Sequence, residues 1–248
     1  MISIRKLRTL IRIVLNILYQ KIYINIIFKN LLTSKEYEKK EKIDEFHRFY
    51  YYSHNFGGTW KNTRWLGTSI YKNPLDLWIY QEIIHKLKPD LIVECGTKYG
   101  GSALYLATLC DIVNHGKIIT IDIEAQENRP QHKRIKYLLG DATSKEIIKQ
   151  LKKSISDNNK VMVILDDLHI KDHVLKELRI YSKFVSKGSY LIVEDTHLNN
   201  HPIEPFFGPG PMEAVNEFLK EDQNFKIDST KEKFYMTWNP RGYLKRIN

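Results

Sequence analysis

Five short apolar runs, each closing in or beside a glycine or an acid, limit what this chain can fold into: LIVECG (91–96), KIITIDI (117–123), IKYLLGD (135–141), VMVILDD (161–167) and SYLIVED (189–195). Runs that are apolar on consecutive positions have no side left for water, so they fit strands of a parallel sheet covered on both faces. Segments with helical spacing fall before and between them: PLDLWIYQEIIHKL ahead of Pro89, SALYLATLCDIV, and stretches near 143–153 and 170–182. Alternation of this kind predicts an α/β fold with a doubly wound, mostly parallel sheet. The late stretch FKIDSTKEKFYMTWN reads as two strand-like runs around a charged turn, suited to an antiparallel pair at one sheet edge.

The 248 residues, 42% of them apolar, suffice for one such domain, expected over 51–248, with an N-terminal helical extension and charged linker over 1–50. Two cysteines, Cys95 and Cys110, both within predicted elements, make no disulfide framework, and a reducing cytoplasm is the expected compartment. The formal charge of +10 sits at the ends: residues 1–42 carry 10 Lys/Arg against 3 Glu, and 231–248 carry 5 against 1. The nearly neutral middle gives no basic face of the kind a nucleic-acid-binding domain presents. Residues 2–32 are apolar but interrupted by Arg8, Arg12, Lys21 and Lys29, which excludes a spanning run. Two readings stay open there: a helix lying in the interface of the inner membrane face, or one covered by a second subunit in a homo-oligomer.

In an open parallel sheet, ligands gather at the carboxyl ends of the strands. The first run ends Glu94-Cys95-Gly96-Thr97-Lys98-Tyr99-Gly100-Gly101-Ser102. Lys98 stands where a dinucleotide fingerprint needs its second glycine, and the spacing E-x-G-x-x-x-G-G-S instead resembles the first motif of S-adenosylmethionine-dependent methyltransferases. Asp122, closing the second run, is placed to accept from ribose hydroxyls, and Gly140-Asp141-Ala142, closing the third, to hold an adenine. Each taken alone is also an ordinary turn or helix cap.

The fourth and fifth runs close in Leu165-Asp166-Asp167-Leu168-His169 and Glu194-Asp195-Thr196-His197. If those strands are neighbours, about 4.8 Å apart, their carboxylates converge. Bare carboxylates at that distance raise one another's pKa, and a divalent cation removes the conflict. Oxygen ligands favour a hard ion such as Mg²⁺, which makes Asp166, Glu194 and Asp195 the expected metal ligands. Capping of the following helices is the plain alternative.

The stretches WKNTRWLGTSIYKNPLDLWIYQEII, LIVECGTKYGGSALYLA, GDATS, VILDDLHIKDHVLKELRIYSKFVSKGSYLIVEDT, HPIEPFFGPGPMEAVNEFL and TWNPRGYLKR, in this order, resemble the cephalosporin hydroxylase family, better described as metal-dependent rhamnosyl or sugar O-methyltransferases. The resemblance implies a Rossmann-like donor-binding domain and Mg²⁺ at Asp166, Glu194 and Asp195. Asp167, where a small Ser is common, and Asn200, where Gly is usual, depart from the pattern.

An alcohol is a weak nucleophile at neutral pH, so a cation that holds a sugar diol and a base that takes its proton are both expected. His169, three residues past Asp166, is the candidate base; the alternative for it is a supporting bond to a carboxylate. His197 and His201 are weaker candidates. The aromatic run HRFYYYSHNF with Trp60 and Trp65 receives no site assignment, since such runs usually pack a core. The expected activity is methyl transfer to a hydroxyl of a saccharide or glycolipid. A monooxygenase, suggested by the family's older name, and a membrane-attached binding protein without turnover are the competing readings.

Overall fold

The computed structural model describes residues 36–248. His47–Asn248 forms one compact unit, and the described residues before it belong to another. The apolar, cation-interrupted stretch 2–32 lies outside the described residues, and no described helix is long and apolar enough to cross a membrane.

Along the chain, helix α1 (Glu36–Tyr52) is followed by a small hairpin of β1 (Arg64–Trp65) and β2 (Thr68–Ser69), then α2 (Pro74–Leu87). The alternation expected from the apolar runs comes next: β3 (Leu91–Cys95), α3 (Gly101–Ile112), β4 (Lys117–Asp122), β5 (Ile135–Leu139), α4 (Lys145–Ser154), β6 (Val161–Leu165), α5 (Lys171–Tyr181) and β7 (Tyr190–Val193). Helix α6 (Pro211–Glu221), β8 (Phe225–Ile227) and β9 (Tyr243–Arg246) close the chain. Helix starts follow local chemistry. Asn73 accepts the Leu75 N–H ahead of Pro74, and Ser144 accepts the Ile147 N–H. At α6, Glu213 reaches back to the Gly210 N–H at 2.7 Å.

The seven-stranded sheet runs β5-β4-β3-β6-β7-β9-β8, parallel from β5 to β7 and antiparallel at β9 and β8. The order reverses between β3 and β6, the crevice where open α/β sheets bind ligands. Every residue of these two strands is buried. Val93, Val163 and Leu165 pack into one core cluster with α5 and α6, and Ile92, Met162 and Ile164 into the other with α2 and α3. Each fully buried aliphatic side chain contributes about 1.5–3 kcal/mol against exposure.

The edge pair exists, but its second strand is Tyr243–Arg246 and not the FYMTWN run. Residues 236–239 are buried without joining the sheet. The buried Asp76 carboxylate on α2 accepts the Thr237 hydroxyl at 2.5 Å, the Trp238 N–H at 2.9 Å, the Tyr243 hydroxyl at 2.9 Å and the Asn73 amide at 2.9 Å. A side chain has taken a backbone donor that a ladder would have used, and it pins this segment against the site.

Candidate active site

A cavity of about 940 Å³ opens at the carboxyl ends of the parallel strands. Its walls include Gly96, Gly101, Ser102, Asp122, Asp141, Ala142, Asp166, His169 and Asp195 from the sequence-predicted set, while Glu94, Gly100 and Glu194 are not among the lining residues.

The glycine turn is forced by close approach. Gly96 has φ +94°, and a Cβ there would lie 2.0 Å from the Asp166 carbonyl oxygen. Gly101 starts α3 so near the hairpin that a Cβ would lie 2.2 Å from the Ser69 carbonyl oxygen. Asp122 closes this turn from the next strand: its carboxylate accepts the Thr97 N–H at 3.1 Å, the Lys98 N–H at 2.7 Å and Arg129 Nη2 at 2.9 Å. Asp141 accepts both the N–H and the hydroxyl of Thr143, and the Ala142 carbonyl accepts the Tyr181 hydroxyl. Beneath the turn, Glu94 is fully buried; its Oε2 accepts the Thr120 hydroxyl, and the Ser102 hydroxyl is its other side-chain partner. Burial pushes this carboxyl up, and the Lys72 charge offsets that only in part. The turn thus offers a pinched backbone cradle over a buried acid, which fits a bound cationic nucleoside better than a pyrophosphate.

The register β6–β7 makes the two acid-bearing strand ends adjacent. Asp166, His169 and Asp195 bring one ligand atom each within 4.8 Å of one another. Asp195 sits at φ +55°, a left-handed position that Asp tolerates better than most residues. One of its oxygens is 3.0 Å from His169 Nε2 and the other 3.2 Å from His197 Nε2. His197 Nδ1 in turn is 2.8 Å from His47 Nε2. Glu194 accepts the Tyr80 hydroxyl at 2.7 Å and is 2.6 Å from Lys72 Nζ, which also pairs with Asp166. So Asp166 and Asp195 face the cavity with His169, and Glu194 stands behind, joined to Asp166 through the Lys72 ammonium.

The electrostatics follow from this packing. Burial opposes the charge on Lys72, but Asp166, Glu194 and Glu94 outweigh it and hold the ammonium charged above its ordinary range. Burial, then Asp166, push Glu194 up to about 8 despite Lys72. Burial also raises Asp166, whereas for Asp195 the neighbouring His169 and His197 overcome burial and hold it well below the usual carboxylate range. His169 is pushed up to about 9, since Asp195 and Asp166 outweigh its burial. An acid-rich pocket that draws on a buried lysine and an imidazolium for neutrality, with two carboxylates open to a cavity, is chemically suited to a hard dication.

Several lining residues received no assignment from sequence. Lys72 is one, and its only local signal is its place beside the Asn73-Pro74 helix start. A second is the aromatic wall: Tyr51 stacks on Trp60 with centroids 5.6 Å apart, and Trp238 meets Trp60 edge-on at 5.2 Å and His197 at 5.2 Å. His197, rated a weak loop candidate, is 1% exposed and holds Asp195. His201 instead pairs with Glu213 at 2.9 Å.

Residues 57–247 match the model of the family described as Rhamnosyl O-methyltransferase/CmcI. This chain belongs to that family. The rhamnosyl O-methyltransferase of Mycobacterium bovis is 35% identical over 210 residues, covering 82% of this chain and 84% of the relative. That of Mycobacterium leprae is 34% identical over 209 residues, covering 82% and 90%. A solved CmcI structure with Mg and SAM shares the fold, with a TM-score of 0.60 at 19% identity over 76% of this chain and 78% of that one. As a member of the rhamnosyl O-methyltransferase/CmcI family, the chain is an O-methyltransferase, and its doubly wound sheet is that of methyltransferases.

Proposed function

We propose that this protein transfers the methyl group of S-adenosylmethionine to a sugar hydroxyl with Mg²⁺ held by carboxylates at the β6 and β7 ends, the acceptor being a saccharide or glycolipid. The observation that carries the reading is one cavity in which the glycine turn and Asp141–Ala142 adjoin the Asp166–His169–Asp195 group, with an aromatic wall beside it. The names of the mycobacterial relatives, and of the CmcI structure with Mg and SAM, agree with it.

In this reading the Gly96–Ser102 turn and Asp122 shape the donor cradle, Glu94 supplies negative field beneath it, and Asp141–Ala142 border the adenine. Asp166 and Asp195 are the carboxylates that face the place of the dication, and Glu194, behind them, would join as a ligand on giving up the Lys72 ammonium, with His169 supplying counter-charge to the same group. When bound, Mg²⁺ supplies Lewis-acid polarisation of the acceptor hydroxyl and positive charge to the carboxylate cluster. As counter-charge to the bare carboxylates His169 carries a proton; only in its neutral form, which a cation on Asp166 and Asp195 would favour, could it receive the hydroxyl proton, with its ring orientation fixed through the Asp195–His197–His47 chain. Tyr51, Trp60 and Trp238 give the acceptor a flat apolar face and exclude water from the transfer.

The competing hydroxylase reading fares worse on the donor set. Each cluster of possible metal ligands among the described residues contains a single histidine, not the two of a facial triad for non-haem iron. A binding protein without turnover would have no use for carboxylates turned toward the cavity beside a buried lysine. The test is transfer from labelled S-adenosylmethionine into rhamnose-containing and other saccharide acceptors by the full chain. A Mg²⁺-dependent methyl ether is expected, with loss of about 10³-fold or more in Asp166→Asn. Donor binding with no transfer to any saccharide would overturn the sugar acceptor.

A further inference from the structure

A second group of side chains borders the same cavity and takes no part in the reading above. Asp167 follows β6, while His173 and Glu177 stand four residues apart on α5 and so share one face of that helix. His173 Nε2 is 3.1 Å from Asp167 Oδ2 and 3.8 Å from Glu177 Oε2. One ligand atom from each lies within 4.8 Å of the other two. Donors held about 2.0–2.2 Å from one ion are about 2.9–3.6 Å apart, so the triangle is close to the size a single dication sets.

Glu177 is what separates this group from a chance acidic cluster. It is 0% exposed, and the polar groups its carboxyl meets are Asp167, His173 and the Cys95 thiol, of which only the imidazole can carry a positive charge. Its neighbours on the buried side of α5 are the core residues Val174 and Leu178, among which an apolar side chain would serve packing better. Burial, reinforced by Asp167, pushes the Glu177 carboxyl well above its ordinary range. A fully buried acid either keeps its proton, here shared with Asp167, or shares a cation with the groups it faces, and those groups are a carboxylate, an imidazole and the Cys95 thiol. Asp167 and His173 line the cavity, which gives an ion a way in.

We propose that Asp167, His173 and Glu177 form a second dication site, separate from the Asp166–Asp195 group, and that its imidazole donor makes it selective for a transition ion of the Zn²⁺ kind over Mg²⁺. The inference does not rest on the methyl-transfer reading, because its readout is metal binding alone.

The experiment titrates Zn²⁺ calorimetrically into the full chain under saturating Mg²⁺, which occupies the hard carboxylate site. Wild type is expected to take one tight equivalent. Asp166→Asn is expected to keep it, and Glu177→Gln and Asp167→Asn each to weaken it at least tenfold. Glu177→Gln retains the shape of the buried acid, and Asp167→Asn tests the same ion from the exposed side. Crystals soaked in Co²⁺ are expected to give an anomalous peak among the three side chains. Absence of the tight equivalent from wild type, its persistence undiminished in both variants, or its disappearance in Asp166→Asn would overturn the site. Methyl transfer failing with zinc still bound would count against the function proposed above and not against this one.

Discussion

The two halves of the cavity are built in different ways. On the β3-β4-β5 side the wall is built where the three strands end, and one nine-residue stretch, Glu94–Ser102, contributes most of the turn. On the β6-β7 side the wall is assembled from separate segments: Tyr51 and Trp60 near the start of the unit, Lys72 before α2, His197 after β7, and Trp238 before β9. The first half is local backbone geometry, which a single residue can ruin. The second is a set of tertiary contacts, in which losses spread over several partners and show in acceptor handling before they show in folding.

If that contrast holds, Gly96→Ala has the largest effect. The new methyl would meet the Asp166 carbonyl oxygen at 2.0 Å on a backbone already at φ +94°, so β3 and β6 must part at the crevice. A loss of at least about 4 kcal/mol is expected in denaturant unfolding, with donor binding abolished. A variant of wild-type stability that still binds donor would show that the turn is not pinched as described. Lys72→Met comes next. It leaves Asp166 and Glu194 without their shared ammonium, at a cost of about 3 kcal/mol in the absence of Mg²⁺. Added Mg²⁺ is expected to raise the Tm of the variant by more than that of wild type, because the ion takes over the missing charge. Equal Mg²⁺ responses would separate the lysine from the cation site.

The same contrast explains what the sequence could disclose. The strand ends were legible because a run such as VMVILDD carries both the strand and the acid that its end projects, so position along the chain is position in the site. The adjacency of Asp166 to Glu194–Asp195 required only that β6 and β7 be neighbours, which right-handed crossover topology favours. FYMTWN misled because its alternation suits a strand, while the buried Asp76, some 160 residues earlier, claims the Trp238 N–H. The aromatics of HRFYYYSHNF gave no signal of their own, since a stacked pair such as Tyr51–Trp60 looks the same in sequence whether it faces a core or a ligand. Glu94 and Gly100 show the converse. Both fall inside the motif, yet neither lines the cavity: Glu94 acts from beneath it, and Gly100 serves the turn.

The histidine chain on the tertiary side gives a smaller, pH-dependent effect. Burial, then the neighbouring His197, bring His47 down to about 3, so it stays neutral in the folded protein. The unfolded chain binds a proton at this residue below about pH 6.5. Between those values the unfolded state holds more protons, and stability therefore rises with pH across the window and is fully present above it. The slope contributed is at most about 1.4 kcal/mol per pH unit. His47→Gln is expected to flatten the loss of stability on acidification below pH 6.5 in urea unfolding. An unchanged slope would mean that His47 is not held neutral against His197.

The smallest effect tests the aromatic wall itself. Trp60 stacks on Tyr51, meets Trp238 edge-on, and donates its indole N–H to the Tyr51 carbonyl at 2.9 Å, yet it lies outside both core clusters. Trp60→Ala should therefore leave the sheet and the donor cradle as they are while removing a flat face from the acceptor side. Stacking of one ring on a sugar face is a contact of about 1–1.5 kcal/mol, which corresponds to roughly a tenfold rise in acceptor KM. Donor Kd should stay unchanged, and kcat should fall less than the acceptor KM rises, since the interaction is made in ground and transition states alike. A matching loss of donor affinity would show that the wall spans both halves of the cavity and that the division between local and tertiary construction is not a division between donor and acceptor.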